Sequence, residues 1–267
     1  MYFLIGTSLL FTFMLAVGVA TAALLNGAWK IFSNLLRDFR PETRARITFT
    51  LRILPIAFAL TVGLAFIVPS FVLYEPQNSD ERVGAKLAVV IGLAMFGFAA
   101  AAYRIFASWW RTRRLLAKWR KNCEPLHLEQ ISIPVFRLRH RFPVFAIVGA
   151  FRPRLFIADQ VLETFDDSEI TAVVHHELGH ISAFDNLKKL TMKLCGDLLV
   201  VPVGRSLDRD WSEASESAAD EFAVSYGDRS TALNLAGALI KIARAIPNEP
   251  ELPLPAVSYV YETTGDL

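Results

Sequence analysis

The stretch VVHHELGHISAFDN, residues 173–186, places several titratable side chains within an otherwise apolar segment. His176 and His180 are four residues apart, so in a helix they project from neighbouring turns of the same side. Glu177 lies about 100° around the helix from His176, close enough to reach past it. The order His-Glu-x-x-His predicts a zinc site in which both imidazoles bind the ion and Glu177 is the general base.

The residues around this stretch favour a helix with one apolar face. Asp166 and Glu169 have the spacing of a capping box, which predicts the helix start. Helical intervals separate the apolar residues Ile170, Val173, Val174, Leu178 and Ile181. His175 points about 120° away from the midpoint of the two proposed ligands. We therefore expect His175 to pack or to form a hydrogen bond, and not to bind the metal.

A hydrolytic zinc site needs a third protein ligand and leaves a fourth position for water. The segment at residues 208–230, DRDWSEASESAADEFAVSYGDRS, supplies the best candidate. Asp210 or Ser212 can cap a helix there, and Gly227 can end it in a left-handed conformation.

Within this predicted helix, Glu216 and Asp220 are four residues apart and share a face. Glu216 is the predicted third ligand, and Asp220 is predicted to accept a hydrogen bond from the free ring nitrogen of a ligand histidine. Glu213 and Glu221 are rival ligands, and a solvated acidic helix face is the structural alternative. The His-Glu-x-x-His pattern upstream favours the metal-binding interpretation.

Two short runs before the histidine helix have strand character. Residues 144–148 and 155–158 are rich in β-forming residues and are joined by a turn containing glycine and proline. They predict a β-hairpin, either as part of a small α+β core or as an edge that holds an extended substrate through backbone hydrogen bonds.

The composition indicates a membrane protein. Hydrophobic residues make up 53% of the chain and the mean hydropathy is +0.37, whereas the apolar share of soluble proteins is usually about 45–50%. Residues 2–25, 53–74 and 87–108 each reach the length of about 20 residues that spans a bilayer. The sequence thus predicts an α-helical membrane protein carrying a mostly α, α+β zincin-like catalytic domain with a short β-hairpin.

The charges between the apolar segments predict the orientation. A basic excess follows the first segment, the loop after the second is slightly acidic, and six basic residues follow the third: Arg111, Arg113, Arg114, Lys118, Arg120 and Lys121. The positive-inside rule then places the N-terminus outside and the catalytic domain in the cytoplasm of a bacterial-type inner or plasma membrane. The orientation of the chain in the membrane explains this basic run better than a nucleic-acid partner does, since the net charge of the chain is only +2.

The motifs resemble a known group of enzymes. His176-Glu177-Leu178-Gly179-His180, then Asp185, then Glu216-x-x-Ala219-Asp220, is similar to the gluzincin metallopeptidases. Residues 143–181 resemble the membrane-embedded branch, which includes the BlaR/MecR-type antirepressor peptidases and the HtpX and CAAX-prenyl-protease group. In that branch a Gly-x-x-x-Pro segment precedes the zinc helix, and Gly149 and Pro153 stand there in this chain. The resemblance covers about residues 134–246, and the three apolar segments favour the BlaR/MecR type.

The resemblance implies a zinc metalloendopeptidase with one Zn²⁺ per chain, acting on a protein or peptide substrate beside the lipid bilayer. It also implies that Asp185, like Asp220, supports a metal ligand. Zinc-activated water, with Glu177 as the base, would hydrolyse peptide bonds of cytoplasmic or membrane-associated proteins. Two alternatives stay open: a signal-transducing component that cleaves a transcriptional repressor under control of a sensor partner, and a non-catalytic membrane scaffold.

These interpretations divide the chain into four parts. Residues 1–110 are the predicted membrane domain, 111–130 a basic juxtamembrane linker, 131–247 the metallopeptidase domain and 248–267 a proline-rich tail. Residues 194–203 are apolar but too short to span, and we expect a helix there that packs on the membrane-facing side of the catalytic domain. Cys123 and Cys195 fit no metal spacing and are expected to be reduced thiols.

Overall fold

The computed structural model describes residues 2–74, 85–128, 131, 133–139, 144–149, 151–199, 203–227 and 229–245. The chain forms two compact units. The first comprises residues 1–106 and 191–214, and the second comprises residues 107–190 and 215–267. The predicted fold class is confirmed: long apolar helices come first in the chain, and a small sheet with further helices follows.

The first unit consists mainly of long helices. Helix α1 is Tyr2–Phe32, a 3₁₀ turn covers Ser33–Leu36, and α2 is Pro41–Val62. One π-helical turn, Gly63–Ile67, joins α2 directly to α3, Val68–Tyr74. The stretches Gly6–Leu36 and Pro41–Tyr74 are long and apolar enough to cross a membrane. The third predicted span, residues 87–108, lies in the first part of helix α4, Ala85–Lys121, and stays a prediction.

Polar contacts hold residues 191–214 to the rest of the first unit. The guanidinium of Arg52, only 6% exposed, donates to Asp208 with an Nε–Oδ1 distance of 2.6 Å. Ser206 donates from its hydroxyl to Asn26, and the indole N–H of Trp29 donates to Asp210. An arginine removed from water needs such a partner, because an unpaired buried charge is costly.

The second unit contains a four-stranded sheet. Its strands are β1 (Cys123–Leu126), β2 (Val135–Leu138), β3 (Phe145–Val148) and β4 (Arg154–Ala158). Their order in the sheet is β1-β2-β4-β3, so β3 lies at an edge. Strand β4 pairs antiparallel with β3 and parallel with β2, and β1 pairs antiparallel with β2. The predicted hairpin is therefore confirmed, with the full sheet around it.

Helices cover this sheet and form the core of the second unit. Helix α5 is Asp159–Thr164, α6 is Asp167–Ser182, α7 is Asp185–Leu199, α8 is Arg205–Tyr226 and α9 is Arg229–Ala245. The core joins the apolar strand residues to the buried face of α6, with Phe156, Ile157, Ala172 and Val174 all nearly inaccessible to solvent. On α9, Lys241 donates to Glu169 of α6 at 2.6 Å.

One sequence prediction is wrong in detail. Helix α8 begins at Arg205, before the expected caps Asp210 and Ser212, and it starts directly after Gly204, whose φ is +99°. With the helix already formed at this point, Trp211 is buried at 2% exposure in the first unit, where it packs with Ala45 and Met192. The predicted helix end beside Gly227 is correct.

The described part of the apolar segment at residues 194–203 contacts other residues of the first unit. Cys195 and Leu199 of α7 pack with Ala22 of α1 and Ile56 of α2. The predicted contact of this segment with the catalytic domain stays a prediction. Residues 200–202 and the predicted tail at 248–267 lie outside the described residues. Of the predicted linker, residues 111–121 continue helix α4 and residues 123–126 form β1.

Candidate metal centre

Helix α6 carries the His-Glu-x-x-His stretch and begins where the sequence predicts. Asp166 accepts from the backbone N–H of Glu169 at 2.9 Å, and Glu169 accepts from the backbone N–H of Asp166 at 3.1 Å. This reciprocal pair is a capping box, which satisfies two backbone donors that the first helical turn leaves free. The cap therefore fixes the helix from which His176, Glu177 and His180 project.

Three predicted ligands lie together in the second unit. The Nε2 atoms of His176 and His180 are 3.2 Å apart. One carboxylate oxygen of Glu216, on α8, is 3.4 Å from His176 Nε2 and 3.6 Å from His180 Nε2. Two imidazole nitrogens and a carboxylate oxygen converging at these distances could hold a metal ion.

Each histidine also has a carboxylate at its other ring nitrogen. His176 Nδ1 is 2.9 Å from Asp220 Oδ1, and His180 Nδ1 is 2.9 Å from Asp185 Oδ2. With a proton on Nδ1, each ring directs its unprotonated Nε2 toward Glu216, which is the orientation that a metal ligand needs. The structure thus places both predicted supporting carboxylates where they can orient a histidine.

Asp185 has two further partners that the sequence did not suggest. The hydroxyl of Ser215 donates to Asp185 Oδ2 at 2.6 Å, and the ammonium of Lys188 is 3.5 Å from Asp185 Oδ1. Ser215 and Asp185 are 4% and 6% exposed, so the carboxylate is held among buried polar groups. Ser215 immediately precedes Glu216, and this adjacency is the only sequence signal that could have pointed to it.

A backbone feature between α6 and α7 brings Asp185 back toward His180. Phe184 has a φ of +57°, in the left-handed region that side chains other than glycine and asparagine rarely adopt. The residue ends the α6 turn and lets α7 begin at the very next position. Its side chain is 66% exposed, so side-chain burial does not account for the unusual backbone.

Gly179 allows the close approach of α6 to the part of α8 that carries Glu216 and Asp220. A Cβ atom at this position would lie 3.0 Å from the Cα of Ala219 and 3.2 Å from the Cβ of Phe222. Both distances are tighter than ordinary van der Waals contact, and the nearer atom is backbone. Glycine therefore lets Glu216 and Asp220 come within reach of the two histidines.

Electrostatic interactions in the metal-free site strongly favour protonated histidines. Burial by itself would lower the pKa of His176, but its hydrogen bonds with Asp220 and Glu216 outweigh burial and raise the pKa to about 9. Burial likewise opposes the charged form of His180, and its bonds with Asp185 and Glu216 raise the pKa to about 10. Protons and a metal ion would therefore compete for the same nitrogens.

The two glutamates of the site differ in the direction of their shifts. Burial would raise the pKa of Glu216, but its hydrogen bonds with His176 and His180 lower the pKa to about 2. For Glu177, burial outweighs the neighbouring histidines and raises the pKa above its ordinary value. The site therefore favours the charged carboxylate of Glu216, whereas burial makes the carboxyl of Glu177 harder to ionise than that of an exposed glutamate.

A narrow cavity connects Glu177 with the edge of the sheet. Its volume is about 20 Å³, and it is lined by Glu177, His180, Asp185 and Asn186 on the helical side and by residues 145–147 of β3. This volume is of the size that one water molecule occupies, and the polar groups around it can form the hydrogen bonds that a water requires.

The remaining candidates lie apart from the three ligand atoms. Glu213 and Glu221, the rivals for the third ligand, are exposed, and the convergent donor set contains Glu216. His175 stacks on Tyr226 with ring centroids 6.0 Å apart, and its Nδ1 is buried without a hydrogen-bond partner among the described residues. The structure thus places His175 in a packing contact.

Comparison with known proteins identifies the group to which the chain belongs. No curated protein matches the sequence. The family described as BlaR1 peptidase M56 matches residues 73–257, which include the sheet, α6 and the metal-binding part of α8. Since the match covers well over half of the 267 residues, the chain belongs to the BlaR1 peptidase M56 family, a family of membrane-associated metallopeptidases.

Proposed function

We propose that the protein is a membrane-integrated zinc endopeptidase in which His176, His180 and Glu216 hold the ion. The spacing of the donor atoms carries this proposal. Donors about 2.0–2.1 Å from a tetrahedral zinc ion lie about 3.3–3.4 Å from one another. The three measured separations of 3.2, 3.4 and 3.6 Å bracket that value. Two imidazoles, one carboxylate and an open position are also the donor set of catalytic zinc sites.

Glu177 is the proposed general base. Bound zinc would lower the pKa of a water molecule and polarise the scissile carbonyl. Glu177 borders the small cavity beside His180, and its raised pKa suits a group that accepts a proton from water and later donates it to the leaving amine. Asp220 and Asp185 keep the Nδ1 proton on each histidine and so hold both rings in one orientation.

The free edge of β3 is the proposed binding site for the substrate backbone. The backbone amide of Ala158 donates to Val144 O at 2.7 Å, so Val144 is a residue whose backbone groups face β4. Backbone groups alternate in direction along a strand, and the N–H and C=O groups of Phe145 and Ile147 therefore point away from β4. An extended peptide could pair with those groups and lie beside Glu177, whichever side chains it carries. The side-chain amide of Asn186 donates to Ile147 O at 3.4 Å, so a peptide would have to displace this bond to pair with that carbonyl.

The charge pattern supports a cytoplasmic active site. The basic end of α4 includes Arg113 and Arg114, which lie over the exposed rings of Trp109 and Trp110 at 4.9 and 5.1 Å. Paired tryptophans and arginines suit a membrane–water interface, and cationic segments are retained on the cytoplasmic side. The proposed substrates are therefore cytoplasmic proteins or the inner ends of membrane proteins.

A signalling role is the second candidate, and family membership favours it. In this version, the peptidase cleaves a transcriptional repressor when a sensor partner activates it. Cleavage of one cytoplasmic repressor, and not of unrelated unfolded proteins, would support signalling over general proteolysis.

The purified full chain tests the proposal, with β-casein as an unfolded protein substrate. Glu177→Gln should retain about one zinc per chain and lose activity at least 100-fold, since an amide cannot accept the proton of the water. Glu216→Ala should lose both zinc and activity, whereas Glu213→Ala, a matched acidic variant on the same helix, should keep both. An active Glu177→Gln enzyme, or zinc loss in Glu213→Ala alone, would contradict these assignments.

A further inference from the structure

A second cavity in the second unit has chemistry of its own. Its volume is about 350 Å³, and it is lined by Arg120, Cys123, Pro134, Phe136, Arg154 and Phe156. This volume falls within the range of small-molecule sites, about 300–1,000 Å³. None of these residues lines the cavity beside Glu177. That smaller cavity is lined by β3, the strand at the other edge of the sheet from β1.

The apolar wall of this cavity is rigidly supported. Phe136 and Phe156 are direct neighbours on β2 and β4, and their rings stack with centroids 5.4 Å apart. Behind them, the buried ring of Trp119 packs on Phe156 at 5.3 Å. Phe156 is only 1% exposed, so the half-buried ring of Phe136, which Phe156 holds in place, offers the apolar surface to a ligand.

Two of the residues that line the cavity, Arg120 and Arg154, carry a guanidinium group. Arg120 and Arg154 have no ion pair or side-chain hydrogen bond with the described residues. Two other arginines nearby in the sequence do form ion pairs: Arg137 pairs with Asp159, and Arg139 pairs with Glu124. Unpaired guanidinium groups beside an aromatic wall favour a carboxylate or phosphate, which accepts paired hydrogen bonds from arginine.

We propose that this cavity binds an anion, carboxylate or phosphate, that is attached to an apolar body. The apolar part lies against Phe136, which Phe156 supports from the core, and Arg120 and Arg154 bind the anionic part. A soluble aromatic acid and a lipid headgroup with the first carbons of its chain present the same chemistry. The site is independent of the proposed proteolysis, because none of its residues lies at the metal centre.

Cys123 allows a direct test, because it lines the cavity and the chain has only one other cysteine, Cys195. Cys195→Ala leaves Cys123 as the sole thiol of the full-length protein in neutral detergent. The rate of its alkylation by N-ethylmaleimide is measured against increasing phenyl phosphate. Phenyl phosphate should slow alkylation saturably, and inorganic phosphate and phenol should each act at least about tenfold more weakly, because each lacks one half of the ligand.

Variants then show whether the guanidinium groups are responsible. Arg120→Ala and Arg154→Ala should each weaken the apparent affinity for phenyl phosphate about tenfold, the usual effect of losing one charge-assisted hydrogen bond. Arg139→Ala removes an equal charge from the same sheet outside the cavity and should leave the affinity unchanged. The proposal would be overturned if phenyl phosphate did not slow the alkylation of Cys123 saturably. It would also be overturned if phenyl phosphate slowed alkylation in both arginine variants as strongly as in the parent protein.

A lysophosphatidic acid titration identifies the natural source of the anion. Protection at much lower concentrations than phenyl phosphate would indicate a lipid headgroup, and the reverse order would indicate a soluble acid. The two arginine variants must weaken the preferred ligand in either case. Lipid protection that is insensitive to both variants would count against the site, since it would reflect general adsorption to the basic helix.

Discussion

Zinc titrated into the metal-free protein at pH 8 should displace about two protons per ion from the two histidines. A pKa of about 9 leaves His176 about 90% protonated at pH 8, and a pKa of about 10 leaves His180 almost fully protonated. Histidines with the ordinary pKa of about 6.5 would together carry less than about 0.1 proton at that pH. Both rings must lose the Nε2 proton before they can bind an ion.

Calorimetry in several buffers measures the number of protons released. The observed binding enthalpy is plotted against the ionisation enthalpy of the buffer, and the slope gives the proton count. A water on the metal can contribute up to about one proton by itself, because its pKa falls toward 7. Release of one proton or fewer at pH 8 would therefore refute the raised pKa values of the histidines.

One variant links the proton count to the structure. Asp220→Asn removes the carboxylate at His176 Nδ1 and should lower the pKa of that histidine, so fewer protons are released. Zinc affinity should also fall about 10- to 100-fold, as is usual when such a partner is lost. Glu221→Gln changes an exposed carboxylate at the next position of α8 and should alter neither quantity.

The same shifts predict how the stability of the metal-free protein depends on pH. The folded-state pKa values of both histidines lie above the unfolded value, so their stabilising contribution is complete below about pH 6.5. It declines progressively above that pH and is gone once the pH has passed about 9 to 10. The melting temperature in a chelator should therefore fall between about pH 6.5 and 10, and zinc should reduce this dependence.

Three further changes give separate tests. Gly179→Ala should weaken zinc binding measurably, because its Cβ would meet the α8 backbone, whereas Gly92→Ala has open space around it and should keep full zinc affinity. Phe184→Gly should raise the free energy of unfolding by about 1 kcal/mol in a denaturant titration, since glycine adopts positive φ without strain; a loss of stability would show that the exposed phenyl ring has a structural role. A phosphatase reporter that needs disulfides, fused after Leu267, should be inactive, and strong reporter activity would refute a cytoplasmic C-terminus.

Local patterns predicted the parts of the metal centre that depend on a single helix. The capping box at Asp166 and the shared face of His176 and His180 follow from helical geometry and from residues close in sequence. Glu216 was predicted to lie beside His176 and His180 because a hydrolytic zinc site needs a third protein ligand. Its spacing of four residues from Asp220 places both carboxylates on one side of α8. The hairpin was predicted because its two strands are adjacent in sequence.

The rest depended on long-range packing or on unusual backbone. Strand β1 and the parallel pairing of β2 with β4 bring together segments that no local pattern connects. The position of Asp185 relies on a left-handed phenylalanine, which sequence propensities do not favour. Helix α8 starts early because Trp211 finds a buried site in the first unit, and tertiary burial outweighs the capping signals at Asp210 and Ser212.

Gly179 has a consequence for which ions the protein can use. The helix contact at this glycine limits the distance between α6 and α8, and the donor separations of 3.2 to 3.6 Å suit an ion with short bonds of about 2.0–2.1 Å. Every substitution at this position adds at least a Cβ, and so pushes the donors apart toward the longer bonds, about 2.3–2.6 Å, of an ion such as calcium. At the proposed zinc site, selectivity for a small ion would thus depend in part on a residue that offers no ligand atom.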